Sequence, residues 1–316
     1  MAKPVEADVV LSCSESLPAV DVWLVIDVLR ATTVIVRWFE LGGAELYPVD
    51  SPDSARRLAQ SLSQDGLSPL LMGEENAIAP QGFDLGNSPL ELTKELAASR
   101  PQAVMATTNG TRSLLKAAAT GVPVLAACLR NVPAALDYAL LRGSRIGLLC
   151  AGRKGRPAWD DTLCAGFMLS LLQQKHPDLR LADSARLALL TWQSSRDLRA
   201  SLASADHAVF LNRIGYGADI AFACEADTTD VVPELHELPD GDGMRAVLRR
   251  VPADALPPRS RFAPPRSNSA ASGTSQAARP QTEPPRFASL LQYAQSDAEH
   301  LFLGGSRRKR NGRSRL

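Results

Sequence analysis

The sequence has 316 residues, 45% hydrophobic and 22% charged, with 35 Lys+Arg against 34 Asp+Glu and a net charge of +1. That balance is typical of soluble globular proteins and excludes wholesale disorder, collagen and a disulfide-dense miniprotein. No uncharged apolar run reaches the ~18 residues of a spanning helix, so no membrane span is expected. Residues 1–8 carry Lys3, Glu6 and Asp8 with no apolar stretch. No secretory leader is therefore read, and a cytoplasmic location is expected. The five cysteines (Cys13, Cys128, Cys150, Cys164, Cys224) form no CxxC pair. They read as reduced thiols without a zinc site.

In chain order, residues 22–26 (Val-Trp-Leu-Val-Ile) predict a buried strand, followed by a helix over 32–41 that Gly42-Gly43 ends. A second strand falls at 45–49, with a helix opening at Ser51 or Pro52 and running to 62. A third strand covers 70–72. Ser88-Pro89 predicts a helix start, with Ser88 as N-cap and Pro89 in the first turn. Strand 103–106 leads to helix 110–119. Strand 124–127 leads to helix 133–141, and strand 145–149 to helix 160–174. Continuous apolar strands, each followed by a helix, indicate an α/β protein with a mainly parallel sheet covered on both faces. There is no internal repeat.

Charge divides the chain. Eleven basic and four acidic residues fall in 254–316, so that segment carries +7 and the remainder −6. The segment is rich in Pro, Arg and Ser and reads as a disordered tail after a catalytic domain over 1–253. Only 287–303 has helical spacing. The run Arg307-Arg308-Lys309-Arg310 suits contact with RNA or an anionic surface.

Sites in parallel sheets lie beyond the carboxyl ends of the strands. The residues after those ends are Asp27 to Thr33, Glu74 to Pro89, Thr107 to Arg112, and Cys150 to Asp161. Thr32, Thr33, Asn87, Ser88, Thr107, Thr108, Asn109, Gly110 and Thr111 combine hydroxyls, amides and helix N-termini, which bind anionic oxygens. Asp27, Glu74, Asp84, Asp160 and Asp161 are hard oxygen ligands suited to Mg2+. Any one of these turns reads equally well as a helix cap. Four on one sheet edge point to phosphate bridged to a metal.

Together the stretches Val25 to Thr33, Gly82 to Pro89, Thr107 to Arg112, and Cys150-Ala151-Gly152 with Asp160-Asp161 and Ala165-Gly166 resemble the 2-phosphosulfolactate phosphatase family. Order and spacing agree from Val9 to about Val232. The resemblance implies a three-layer α/β/α fold. It also implies Mg2+-dependent hydrolysis of 2-phospho-3-sulfolactate, a small anionic ester, to 3-sulfolactate and phosphate. Glu75 stands where the family carries arginine, and Asp160-Asp161 where it carries Glu-Asp. Asn212, Arg213 and Gly215 to Gly217, ahead of Asp219, resemble its closing segment. On this reading Asp27 and one or more of Glu74, Asp84, Asp160 and Asp161 hold Mg2+. Arg30 grips phosphate or sulfonate as a bidentate fork. Asp27 or Asp161 positions or deprotonates the attacking water.

Two other readings are available. Cys150-x5-Arg156 imitates a cysteine-phosphatase loop, although no Ser or Thr follows Arg156. A non-catalytic phosphometabolite-binding or RNA-associated protein would place its function in the tail. A homodimer is a guess. His176, His207, His236 and His300 read as surface or core residues, and the tryptophans as packing, with Trp159 the nearest to a cleft.

Overall fold

A computed structural model describes residues 3–240 and 243–258. Residues 259–316, with most of the expected disorder and the helical spacing over 287–303, lie outside the described residues. Strands β1 (Glu6–Val10) and β2 (Val22–Ile26) precede α1 (Ala31–Glu40), β3 (Glu45–Val49), α2 (Pro52–Gln64) and β4 (Leu70–Gly73). Next come α3 (Lys94–Ser99), β5 (Gln102–Ala106), α4 (Gly110–Ala118), β6 (Val124–Ala127), α5 (Val132–Arg142), β7 (Arg145–Cys150) and α6 (Trp159–Lys175). A short β8 (Arg180–Leu181) is followed by α7 (Asp183–Ser194), α8 (Leu198–Ala203), α9 (Asp206–Arg213) and α10 (Gly217–Ala223). The hairpin β9 (Pro233–Asp240) and β10 (Gly243–Arg250) closes the described fold.

All ten strands form one sheet, in the order β4-β5-β3-β10-β9-β6-β2-β7-β1-β8. Strands β4, β5 and β3 are parallel, as are β6, β2, β7, β1 and β8. The antiparallel hairpin joins these two groups, pairing β10 with β3 at Leu248 and Leu46, and β9 with β6 at Leu235 and Val124. The mainly parallel, mixed α/β sheet expected from the sequence is therefore present.

Alternation along the strands sorts the core into three clusters. Trp23 and Val25 of β2 share one cluster with Leu46, Met72 and Met105 from the other half-sheet, and with Ile35 and Trp38 of α1 and Leu114 of α4. The sheet thus wraps around α1 and α4. On the opposite face, Leu24 and Ile26 pack with Leu136 of α5 and Met168 of α6. Tyr47 and Val104 pack with Ala55, Ala59 and Leu62 of α2. Among the described residues no helix is long and apolar enough to cross a membrane.

Two differences bear on the site. No helix starts at Ser88; the next one is α3, which Thr93 caps by accepting from the Leu96 amide. The Ser88 hydroxyl donates instead to Asp219, 2.6 Å away. The hairpin and helices α7 to α10 were not anticipated, and they cover ground that the site needs.

Helices α6 and α7 touch at Gly166, where a Cβ would lie 2.1 Å from the Ala188 carbonyl oxygen. Gly166→Ala is expected to force the helices apart and cost about 1–3 kcal/mol. The urea unfolding midpoint measures it.

Candidate active site

The turn after β2 is knitted by its own hydroxyls. Thr32 Oγ1 donates to the Asp27 carbonyl (2.9 Å) and accepts from the Asp27 amide (3.0 Å), while Thr33 Oγ1 donates to the Val28 carbonyl (2.8 Å). Asp27 Oδ1 accepts from the Ala31 amide at 3.2 Å. Both threonines are fully buried. Their hydroxyls shape the turn, contrary to the expectation that they face substrate. The same holds after β5. There Thr107 and Thr111 cap each other, each hydroxyl accepting the other's amide at 3.0 Å.

The ends of β2 and β5 meet because the sheet closes around α1 and α4. A Cβ on Gly110 would lie 2.4 Å from Ala31 Cβ and 2.7 Å from Asp27 Oδ2. Only glycine permits that approach. Asn109 precedes it at the start of α4 without capping the helix through its side chain. Glu74 braces this corner, accepting from the Thr108 amide (2.8 Å) and the Ala77 amide (2.7 Å).

The α6 N-terminus supplies Asp160 and Asp161, both buried. Asp161 accepts from the Val28 amide (2.9 Å) and the Gly152 amide (3.0 Å), so it stitches the turn after β2 to the loop after β7. Burial first, and then the charge of Asp160, push the Asp27 carboxyl up to about 7. Burial pushes Asp160 up to about 6, against the opposing pull of its own amide and that of Leu29. Asp161 is also raised, by burial and by the charges of Asp160 and Asp27. The fold therefore holds more buried negative charge here than it neutralises.

That excess suits a divalent cation. Among the described residues no group of three His, Cys, Asp or Glu side chains forms a ligand cage. Mg2+ does not require one, because it keeps several waters and uses one or two carboxylates. Asp27 and Asp160 fit that demand best. Asp27 keeps Oδ2 free, and Asp160, although amides bond it too, lines a cleft, whereas Asp161 and Glu74 give each oxygen to an amide. Asp84 is not brought to the site. Arg100 holds it with two bonds of 2.8 and 2.9 Å, and it accepts from the Leu71 amide near the start of β4.

Arg30 is 2% exposed. It donates to Asp219 (2.8 Å) and to the Ala77 carbonyl (3.1 Å), and lies 4.4 Å from the centre of the Tyr216 ring. Ser88 holds the other Asp219 oxygen. Arg30 Nε and Asn87 Oδ1 are buried without partners. An unsatisfied donor and an unsatisfied acceptor at a site suit a polar ligand. Asp219 was legible only as part of the closing segment. Tyr216 falls in the same segment, and His207 carried no sequence signal beyond its residue type. Burial first, and then the charges of Arg153 and Arg30, push His207 down to about 4, and its ring hydrogen-bonds to the Leu29 backbone. It lines a cleft with Asp160.

Cys150 cannot serve as the nucleophile of the alternative reading. It is fully buried at the end of β7, and burial, with the charges of Asp161 and Asp160, raises its thiol well above the usual range. A reactive cysteine needs the opposite environment.

Fold and site together define an α/β protein with buried carboxylates and an incompletely satisfied arginine at the carboxyl ends of its strands. A family model described as 2-phosphosulpholactate phosphatase matches residues 11–238. A Deinococcus radiodurans protein named probable 2-phosphosulfolactate phosphatase is 37% identical over 230 residues, 72% of this chain and 92% of its own length. Proteins of the same name from Thermus thermophilus (36% over 225 residues; 70% and 90%) and Pseudothermotoga lettingae (34% over 230 residues; 72% and 95%) are also similar. The chain belongs to the 2-phosphosulfolactate phosphatase family of phosphoric monoester hydrolases.

Removing a carboxylate should cost very different amounts at two ion pairs. Asp219→Ala leaves Arg30 buried and unpaired, an expected loss of about 3–5 kcal/mol. Asp84→Asn, at the half-exposed Arg100 pair, should cost about 1 kcal/mol or less. Urea denaturation of both variants compares them.

Proposed function

We propose that the protein hydrolyses the phosphate monoester of a small anionic 2-hydroxy acid, with 2-phospho-3-sulfolactate the best-supported substrate, in a Mg2+-dependent reaction. The observation that carries the reading is the meeting of Asp27, Gly110 and the Asp160-Asp161 pair, from three turns far apart in sequence, beside Arg30. The names of the relatives support the substrate class.

Asp27 and Asp160 would hold Mg2+, which would offset phosphate charge and make water more acidic. Arg30 presents its unpartnered Nε to a phosphate oxygen. The Asn109 and Gly110 amides at the α4 N-terminus face the same region and stabilise negative oxygen there. Asn87 Oδ1 accepts from the substrate or from ordered water. Asp27 Oδ2, which accepts no hydrogen bond among the described residues, is the oxygen left for the cation. Asp161 is less suited to that role, because each of its oxygens already accepts an amide. It positions Val28 and Gly152 instead.

Asp27→Asn is expected to lower phosphate release from 2-phosphosulfolactate by about 10²–10³-fold or more while leaving the fold intact. Chelation with EDTA should stop release by the wild type, and added Mg2+ should restore it. Cys150→Ser should keep most of the activity. Turnover by Asp27→Asn near the wild-type rate, with a normal circular dichroism spectrum, would refute the assignment.

A further inference from the structure

A cleft of about 830 Å3 lies beside Asp160. One wall is the loop after β7, which carries Arg153, Lys154 and Arg156. The facing wall includes Leu187 of α7 and His207 of α9. The loop is a tight backbone turn. The Arg153 amide donates to the Arg156 carbonyl (2.8 Å), and the Arg156 amide returns the bond to Arg153 (3.0 Å). Lys154 and Gly155 take positive φ angles of 53° and 74°, and Ser14 Oγ donates to the Gly155 carbonyl at 3.0 Å. Three cationic side chains thus project from a fixed backbone.

Arg153 lies close enough to Asp160 to act on its charge. Among the described residues, none of the three forms an ion pair with a carboxylate. Arg153 is half-buried, its guanidinium 5.4 Å from the centre of the Phe210 ring. The ring restricts the side chain while leaving its donors open. The acidic residues lining the cleft are Asp160 and Asp206. With Asp160 committed to the cation, the remaining wall is positive. The volume also exceeds what a phosphate group alone needs.

We propose that the Arg153 turn is the recognition site for a second acidic group of the substrate, a sulfonate or carboxylate one or more carbons beyond the ester-bearing carbon. This rests on the phosphatase reading and adds the residue that selects among its substrates. Arg153 contributes a planar fork to the distal acid. Lys154 and Arg156 add positive potential at the mouth. The open volume admits acids longer than sulfolactate.

The test compares wild type, Arg153→Gln and Arg153→Lys on two esters that differ only in the distal acid, 2-phosphosulfolactate and 2-phospholactate, with Mg2+ present. Arg153→Gln is expected to lower the kcat/KM preference for 2-phosphosulfolactate by about tenfold or more, mainly through KM, as loss of a charged hydrogen bond does. Arg153→Lys should recover part of that preference. Calorimetric binding of 3-sulfolactate against lactate gives a readout that needs no turnover, and the same preference should fall. An unchanged preference in Arg153→Gln, or equal losses on both ligands, would overturn the proposal. Failure of the wild type to hydrolyse either ester would overturn the phosphatase reading, and the binding preference would still decide the subsite.

Discussion

The buried pair between Arg30 and Asp219 holds the site together. A guanidinium taken out of water carries a large desolvation cost, which only a well-placed partner offsets. Asp219 provides that partner from α10, and Ser88 secures its second oxygen from a loop 131 residues away in sequence. The Ala77 carbonyl and the Tyr216 ring complete the enclosure. Three segments, α10 with its Tyr216 cap, the Ala77 loop and, through Asp219, the Ser88 loop, are thereby fixed relative to the turn after β2. The donor that this enclosure leaves over, Nε, is available to a ligand.

The carboxylates follow a complementary logic. Backbone amides satisfy Asp161 and Glu74, and these two side chains brace loops. Asp27 keeps one oxygen free of hydrogen bonds, and Asp160, although amides also bond it, lines a cleft; burial raises both. Surplus buried negative charge, set against an arginine and a helix N-terminus, is the environment that the proposed cation and phosphate would need. This division between bracing and open carboxylates agrees with membership of a phosphatase family.

Much of the fold was legible because its strands are buried on both faces and read as continuous apolar runs. Residues 22–26, 45–49, 103–106, 124–127 and 145–149 are strands for that reason, and their helices follow from apolar spacing and caps such as Ser51. The hairpin β9–β10 was not legible. Its strands mix Glu234, Glu237, Arg245 and Arg249 with Pro233 and Pro239, and their pairing is specified by the half-sheets on either side. Ser88 misled for a related reason: its hydroxyl satisfies a distant carboxylate where a local helix cap was expected. Asp84 lies in a matching motif yet pairs with Arg100, because side-chain partners depend on which loops meet. His207 carried no pattern at all, since a lone histidine acquires meaning only from what surrounds it.

Composition, apolar period and turn residues were sufficient to establish an α/β chain with polar turns at the carboxyl ends of parallel strands, because these are local properties of the polypeptide. The division of those turns into ligands, braces and bystanders was decided by tertiary structure. Burial and hydrogen-bond satisfaction set the charge and availability of each side chain, and both depend on elements brought together from opposite ends of the described fold.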